Sequence, residues 1–220
     1  MDLIRARSNM IEQQVRPWDV LDQRVLDVLA EVPREAFVDE HRSGVAYSDF
    51  PLPIGHGQYM FKPTLDGRLL QALALEITDH ALEIGTGSGY LSACIARLAA
   101  HCETLEIVPE LATSAAARLA ALGIANVTAR ERDGAGEWDV RERYEAILLG
   151  GSVVQVPDRH RRMLAIGGRL VAVLGRADSP TMEAVVVTRV HEEEWATEGL
   201  FDTRVDPLVN FTGAPTAFVF

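Results

Sequence analysis

Cysteine is scarce in this sequence, and its two cysteines do not form a pattern typical of a metal centre. Cys94 and Cys102 have no CxxC spacing and no cluster of histidines beside them. A disulfide framework or a metal site is therefore disfavoured, and buried free thiols in a reducing cytosol are the simpler interpretation. We expect no bound metal.

Long apolar runs are also missing. No stretch approaches the roughly 18 apolar residues of a membrane-spanning helix, and the N-terminus has no basic segment followed by a long apolar one. We expect a soluble, cytoplasmic protein that does not contact a membrane.

Basic residues are outnumbered by acidic ones. The chain has 21 Lys and Arg against 32 Asp and Glu, for a net charge of −11. Because proteins that bind nucleic acid gain affinity by neutralising phosphates, this balance argues against nucleic acid as a partner. The length of 220 residues suits one domain with a sizeable core.

The pattern of apolar residues changes near residue 62. Before it, apolar residues recur at three- and four-residue steps, which predicts two helices with a break at 16–19, followed by an irregular stretch over 41–53. Long irregular stretches in compact domains are usually lids or binding loops. We interpret residues 1–62 as N-terminal helices and a substrate lid, and residues 63–220 as the core of the same structural domain.

After a helix-like segment at 63–75, the chain alternates between strand and helix patterns, which predicts a parallel sheet with helices on both faces. Strands are expected near 80–84, 103–107, 126–130, 144–149 and 169–174. Strand-like segments without helices between them follow at 183–190, 195–203 and 216–220. The expected fold class is α/β, with a doubly wound, mostly parallel sheet, antiparallel C-terminal strands and a helical N-terminal segment.

The most informative stretch is ALEIGTGSGY at 81–90. A short apolar run ends in glycines at alternate positions and is followed by helix-like residues 91–100, so the order is strand, tight turn, helix. Glycine adopts backbone angles that other residues avoid and lets a ligand approach with no Cβ in the way. The amides at the start of the next helix then face that ligand. The stretch therefore predicts a ligand site.

Acidic residues accompany this loop at three successive strands. Glu83 lies within the first strand, Glu106 ends the second, and Asp133 follows the third. In doubly wound folds, an acid at the end of the second strand hydrogen-bonds the ribose hydroxyls. The spacing GxGxG differs from the GxGxxG that holds a pyrophosphate. It suits a ligand with no phosphate and a cationic amino-acid end, such as S-adenosylmethionine (SAM).

Several stretches resemble one family and occur in the right order. They are VPREAFVDE at 32–40, LPIGHGQ at 52–58 followed by Pro63, LEIGTGSGY at 82–90, RDG at 132–134 and PLV at 207–209. On these residues the chain resembles the class I SAM-dependent methyltransferases and, more narrowly, the protein-L-isoaspartate O-methyltransferase family. The resemblance implies a Rossmann-like fold, SAM as cofactor, and a role in protein repair on peptides or proteins that carry isoaspartate.

The resemblance also implies roles for individual residues. Those expected to bind the cofactor are Glu83, Gly85, Thr86, Gly87, Gly89, Glu106, Asp133 and Gly134. Glu83 is expected near the ammonium group of SAM, Glu106 at the ribose hydroxyls and Asp133 at the adenine amino group. Gly134 is expected to keep the turn after Asp133 tight.

The chain departs from the family at the loop that presents the substrate. The family pattern there resembles GQTxSQP, whose serine hydroxyl touches the reacting carboxylate, whereas residues 57–63 read GQYMFKP. Phe61 stands at the serine position and Lys62 at the position of the following glutamine. The candidate catalytic residues are His56, Gln58, Phe61 and Lys62.

Methyl transfer to a carboxylate is an in-line displacement. It needs no general base, because a carboxyl group with a reference pKa of about 4 is already ionised at neutral pH. Catalysis then depends on orienting and desolvating the nucleophilic oxygen.

Three functions fit these residues. The first is isoaspartyl methylation in which Lys62, His56 or a backbone amide contacts the carboxylate. The second is methylation of another, small acceptor in a more apolar pocket lined by residues 59–61, although the same residues would also suit simple core packing. The third is a SAM-binding interaction protein without turnover. A hydrolase is disfavoured because the centre of GTGSG is Gly87 rather than a serine.

Overall fold

The computed structural model describes residues 2–136 and 143–211. The strands in these ranges are β1 Leu52–Gly55, β2 Gln58–Met60, β3 His80–Ile84, β4 His101–Glu106, β5 Val127–Glu131, β6 Tyr144–Val153, β7 Leu164–Leu174, β8 Met182–His191 and β9 Glu194–Thr203. The α-helices are α1 Leu3–Met10, α2 Gln23–Glu31, α3 Pro63–Leu73, α4 Tyr90–Leu98, α5 Pro109–Ala121 and α6 Asp158–Arg162.

Within the described residues, the large sheet has the strand order β5-β4-β3-β6-β7-β8-β9. Strands β3 to β7 pair in parallel, whereas β8 and β9 are added antiparallel. This confirms the predicted fold class. The predicted strand at 216–220 lies outside the described residues.

The strand order reverses at β3. The chain moves outward from β3 to β4 and β5, and then returns to place β6 on the other side of β3. Loops that leave the carboxyl ends of β3 and β6 diverge to opposite sides, and the crevice between them is where doubly wound folds bind ligands.

The central strands of the sheet are buried on both faces, and their alternate residues pack in different layers. On β3, Ala81 belongs to the core formed with the N-terminal helices, whereas Leu82 and Ile84 belong to the core on the opposite face. Because side chains alternate along a strand, Glu83 shares its face with Ala81. The acid therefore points toward α4 and the N-terminal helices.

The N-terminal helices follow the predicted pattern. Helix α1 continues as a π-helical turn, Ile11–Val15, and a 3-10 turn, Arg16–Trp18, and the chain then breaks at Asp19, which adopts a left-handed φ of 60°. Ile11 and Val15 on the π-helical turn are buried in the main core, whereas Trp18 on the 3-10 turn is exposed. The predicted break at 16–19 is confirmed.

Residues 41–53 are more regular than the sequence predicts. A 3-10 segment, Glu40–Val45, precedes an antiparallel hairpin made of β1 and β2. The turn of this hairpin is tight because Gly55, His56 and Gly57 all have positive φ, at 94°, 53° and 71°. Strands of four and three residues are too short to show a clear period, so the sequence pattern does not predict the hairpin.

Cys94 and Cys102 are free and buried, as predicted. Burial raises the pKa of both thiols well above the usual value, so they are protonated and inert at neutral pH. None of the helices in 2–136 and 143–211 is long and apolar enough to cross a membrane.

Candidate active site

A cavity of about 330 Å³ opens at the carboxyl edge of the sheet. Its walls come from the loops after β3, β4 and β5, from the β1–β2 hairpin, from the turn before α3, and from residues 204–211. The cavity thus lies where the strand order reverses.

The glycine loop after β3 forms one wall. Gly85, Gly87 and Gly89 have φ of 92°, 53° and 88°, which residues with a Cβ rarely adopt. Gly85, Thr86 and Gly87 line the cavity. Gly89 lies behind them, where a Cβ would come within 3.1 Å of the Cβ of Ala115 on α5. Gly89 therefore serves the packing of the loop against α5 rather than the cavity surface.

Glu106 lies at the end of β4 with only 5% of its surface exposed. Its carboxylate accepts hydrogen bonds from the backbone N–H of Gly87, at 2.8 Å, and of Val108, at 3.0 Å. Each oxygen keeps a further lone pair, and the side chain lines the cavity. Backbone donors thus hold an acid at the cavity wall.

Glu83 lies in the wall of the cavity, almost fully buried. It accepts hydrogen bonds from the hydroxyls of Ser92 and of Thr104, the latter at 2.7 Å, and Thr104 in turn contacts the hydroxyl of Thr86 at 2.7 Å. Burial raises the pKa of Glu83 to about 7, and the two hydroxyl donors only partly offset this effect. The network fixes the carboxyl group close to the glycine loop.

Asp133 and Gly134 line the cavity after β5. The carboxylate of Asp133 accepts from the backbone N–H of Ala135 and from the side-chain amide of Asn210, both at 2.8 Å. A Cβ on Gly134 would lie 2.3 Å from Ile84, so the turn can pass this close to β3 only with glycine.

His160 supports the same turn from behind, and sequence reasoning did not identify it. Its ring Nε2 lies 3.1 Å from the carbonyl oxygen of Gly134, and its ring packs on Phe211 at 5.3 Å. Burial lowers the pKa of His160 to about 4, so the ring is neutral at pH 7. Because a carbonyl only accepts hydrogen bonds, Nε2 carries the proton.

The loop predicted to present the substrate forms the opposite wall. Gln58, Phe61 and Lys62 line the cavity together with Tyr59 and Met60. The predicted candidate His56 does not join them, because it lies exposed in the hairpin turn, outside the residues that line the cavity.

A buried ion pair anchors this loop, and it too was missed by sequence reasoning. Arg34 is fully buried and donates hydrogen bonds to Asp66, to the carbonyl of Phe61 and, at 2.8 Å, to the carbonyl of Ala46. Its guanidinium lies over the ring of Tyr90, 4.8 Å from the ring centre. Burial raises the pKa of Asp66, which also lines the cavity, to about 7 despite the attraction of Arg34.

Residues 204–211 run across the carboxyl edge of the sheet. The backbone of Ser152 exchanges hydrogen bonds with the segment, its N–H donating to Asp206 at 2.9 Å and its carbonyl accepting from Leu208 at 3.0 Å. This segment contains the PLV at 207–209 that resembles the family in sequence, and all three of those residues line the cavity.

The model of one protein family matches the chain over residues 5–210, and its description is protein-L-isoaspartate(D-aspartate) O-methyltransferase (PCMT). A protein-L-isoaspartate O-methyltransferase 1 of Rhodopseudomonas palustris strain HaA2 is 41% identical over 94% of this chain and 84% of its own. A protein-L-isoaspartate O-methyltransferase of R. palustris strain CGA009 is 40% identical over 93% of each chain.

Solved structures share the fold. A Plasmodium falciparum structure described as a protein-L-isoaspartate O-methyltransferase in complex with S-adenosyl-L-homocysteine has a TM-score of 0.78 at 20% identity, covering 94% of this chain and 98% of its own. A second structure of that enzyme class has a TM-score of 0.79 at 22% identity, covering 91% and 65%. The family match over residues 5–210 and the relatives that are about 40% identical over most of both chains establish that the chain belongs to the protein-L-isoaspartate O-methyltransferase family.

Proposed function

We propose that this protein is a SAM-dependent methyltransferase that methylates the carboxylate of isoaspartyl residues in damaged proteins. The observation that carries the proposal is that the glycine loop, with its acids, and the loop at 58–62 open into the same cavity. A donor site and an acceptor site joined in this way are what transfer of a methyl group between two bound molecules requires. Membership of the family supports the same conclusion.

The residues present fit SAM as the cofactor. SAM carries an ammonium and a sulfonium cation, and the carboxyl groups of Asp66, Glu83 and Glu106 all line the cavity. We assign Glu83 to the ammonium end and Glu106 to the ribose hydroxyls, because Glu106 has lone pairs left after binding Gly87 and Val108. Asp133 is assigned to the adenine amino group.

SAM supplies a methyl group on a positively charged sulfur, and the residues of the chain supply orientation and dehydration. The acceptor end of the cavity is lined mainly by apolar side chains, among them Ile54, Met60, Phe61 and Leu65. Such walls remove water from an entering carboxylate and so make its oxygen a stronger nucleophile. No proton transfer is needed, because the isoaspartyl carboxyl group is ionised at neutral pH with a pKa of about 4.

Phe61 favours a second candidate function, methylation of a different, less polar acceptor. The ring lines the cavity and packs at the edge of the main core, and its position in the family pattern belongs to a hydroxyl. We place this candidate second, because the relatives that are about 40% identical over most of both chains are named protein-L-isoaspartate O-methyltransferases.

A synthetic isoaspartyl peptide tests the proposal directly. Incubation with the protein and SAM is expected to add the mass of one methyl group, whereas the matching aspartyl peptide is expected to stay unmodified. A wild-type protein that binds SAM but leaves the isoaspartyl peptide unchanged would favour the second candidate.

We also propose that residues 1–62 cover the cavity when the cofactor is bound. Support comes from Pro51, Ile54 and Gln58, which line the cavity from the hairpin and the residue just before it. Hydrogen exchange with and without S-adenosylhomocysteine (SAH) is expected to show added protection over 41–63. Protection confined to the glycine loop would exclude this covering role.

A further inference from the structure

Lys62 is the only lysine in the sequence, and it lies in the wall of the cavity. It is the residue just before α3, next to Phe61, and about a third of its side chain is exposed. The chain otherwise uses arginine for its cations, 20 of the 21 basic residues. Lys62 therefore places the chain's single primary side-chain amine at the acceptor end of the site.

The ammonium of Lys62 is held loosely. Its Nζ lies 3.9 Å from a carboxylate oxygen of Asp49, which is longer than a hydrogen bond, and 5.2 Å from the centre of the Trp18 ring. The other oxygen of Asp49 is already bonded to the backbone N–H of Thr64, at 3.2 Å, and to its hydroxyl, at 2.7 Å. Lys62 thus keeps donors available for a ligand.

The neighbouring charged groups are less suited than Lys62 to binding a carboxylate. Asp66 and Glu83 are acids and repel a carboxylate when ionised. Arg204 also lines the cavity, but it is exposed and donates to the carbonyl of Ala177 at 3.3 Å. A carboxylate that enters between apolar walls needs a cation or donor, since an unpaired buried charge is costly.

We infer that Lys62 binds the carboxylate of the methyl acceptor. It does so in place of the serine hydroxyl that the family pattern has at the position of Phe61. This inference rests on the proposed function and names the group that selects its substrate. One carboxylate oxygen is held by the ammonium, which leaves the other oxygen to attack the methyl group. Trp18 flanks the ammonium by a cation–π contact, and Asp49 is its partner when no acceptor is bound.

Steady-state kinetics with the isoaspartyl peptide test the contact. Lys62→Gln is expected to raise KM roughly 10- to 100-fold, because hydrogen bonds to charged groups are worth about 1.5–3 kcal/mol. Affinity for SAH, measured by calorimetry, is expected to stay within about twofold, and Lys62→Arg is expected to recover part of the loss because it restores the charge.

The matched control is Arg97→Gln. Arg97 lies on α4, outside the residues that line the cavity, and forms an exposed ion pair with Glu31 on α2, so the substitution removes one positive charge far from the proposed contact. An unchanged KM is expected. If Arg97→Gln raises KM as much as Lys62→Gln does, the effect reflects the net charge of the protein and the inference is wrong.

Chemical labelling tests the contact between Lys62 and the acceptor without any methyl transfer. An amine-selective acetylating reagent meets a single ε-amine in this chain, and the N-terminal amine serves as an internal reference. With SAH and a saturating concentration of the isoaspartyl peptide present, acetylation of Lys62 is expected to slow at least about fivefold, because the bound fraction of the protein is protected. Acetylation of the N-terminal amine is expected to stay the same. Equal labelling with and without this peptide would overturn the inference.

The two proposals fail in different ways. A wild-type protein that does not methylate the isoaspartyl peptide contradicts the proposed function. A wild type that methylates it, together with a Lys62→Gln variant of normal KM, contradicts only the role of Lys62.

Discussion

The cavity has two halves, whose polar groups are held differently. The first, the cofactor half, is built on the loops at the carboxyl ends of β3, β4 and β5. The second, the acceptor half, is built on the β1–β2 hairpin and the turn before α3. In the first half, both oxygens of Glu106 and one oxygen of Asp133 accept hydrogen bonds from backbone N–H groups in the loops after β3, β4 and β5. In the second half, Lys62 has a long ion pair with Asp49 and a contact with Trp18.

This difference suits one half to binding the cofactor and the other to binding the acceptor. Groups fixed by backbone donors are already in place before a ligand arrives, so they suit a cofactor that every reaction cycle uses. Groups with long contacts can exchange partners, so they suit an acceptor that is a peptide of variable sequence. The acceptor half is nevertheless anchored, since buried Arg34 holds the carbonyl of Phe61.

The largest effect is expected from breaking that anchor. Asp66→Ala leaves the buried guanidinium of Arg34 without its carboxylate partner and is expected to lower the free energy of unfolding by about 3–5 kcal/mol. Urea unfolding of the mutant measures this. Glu31→Gln, which breaks the exposed pair with Arg97, is the control and is expected to cost less than about 1 kcal/mol. Similar losses in both variants would mean that the buried pair is not an anchor.

A pH effect of similar size is expected in the cofactor half. The pKa of Glu83 is raised from 4.5 to about 7 by burial, so between these values the folded protein binds a proton that the unfolded chain releases. Stability contributed by protonated Glu83 is therefore complete below pH 4.5 and is lost as pH rises to 7, on the order of 3 kcal/mol in all. Glu83→Gln cannot ionise, so its stability relative to the wild type is expected to increase across this window.

The comparison of unfolding midpoints at pH 5 and pH 8 checks this sign. A difference between Glu83→Gln and wild type that does not change with pH would show that Glu83 is not a buried titrating group. The same ionisation is expected to tighten SAM binding as pH rises through 7, because the ionised acid attracts the cationic ligand.

The next effect concerns ligand affinity in the cofactor half. Glu106→Ala removes the acceptor for the ribose hydroxyls and is expected to weaken SAH binding by about 1.5–3 kcal/mol. Calorimetry on the folded variant measures the change, and Lys62→Gln is the control in the acceptor half. Unchanged affinity of Glu106→Ala would place the ribose elsewhere.

Phe61→Ser tests the acceptor half in the opposite direction. The serine is expected to add a hydrogen bond to the reacting carboxylate and to raise kcat/KM about tenfold, the equivalent of 1 to 1.5 kcal/mol. Because the Phe61 ring is only partly buried, the stability loss is expected to be smaller than the roughly 3 kcal/mol of a fully buried ring. A stable variant with no gain toward isoaspartyl peptides would support the less polar acceptor.

The smallest effect is expected from Asp49→Asn. The substitution removes the anion that competes for Lys62, while the amide oxygen still accepts hydrogen bonds from Thr64. KM for the isoaspartyl peptide is expected to fall by up to about fivefold, since a partly exposed ion pair is worth at most about 1 kcal/mol. A rise in KM would show that Asp49 positions Lys62 rather than competing for it.

The cofactor half could be predicted because its signals are local in sequence. The strand, the glycines and the helix of the loop are consecutive in the chain, and Glu106 and Asp133 follow directly from the ends of their strands. In a parallel sheet the carboxyl ends of neighbouring strands lie at the same edge, so residues at these positions must come close together. The acceptor half was predicted only in part, since His56 lies outside the cavity lining.

The contacts that support both halves leave no local signal. Arg34 and Asp66 are 32 residues apart, His160 and Gly134 are 26 apart, and Asn210 lies 77 residues from Asp133. Arg34, Asp66, His160 and Asn210 would each look like an ordinary polar residue in its own segment. Their pairing depends on how helices and loops pack against one another. Apolar patterns predict the elements, but not their relative positions as accurately as a hydrogen bond requires.

By itself, the sequence determined the family, through motif stretches that resemble it and occur in the right order. It also determined the doubly wound sheet and the position of the glycine loop, because backbone sterics and apolar periodicity act over a few residues. Only the tertiary structure decided that Lys62 lies in the cavity wall next to Trp18 and that His56 does not line the cavity. It also decided that burial raises the pKa of Glu83 and Asp66 to about 7. Burial and long-range contact are properties of packed elements, and a pKa follows from them rather than from the identity of the residue.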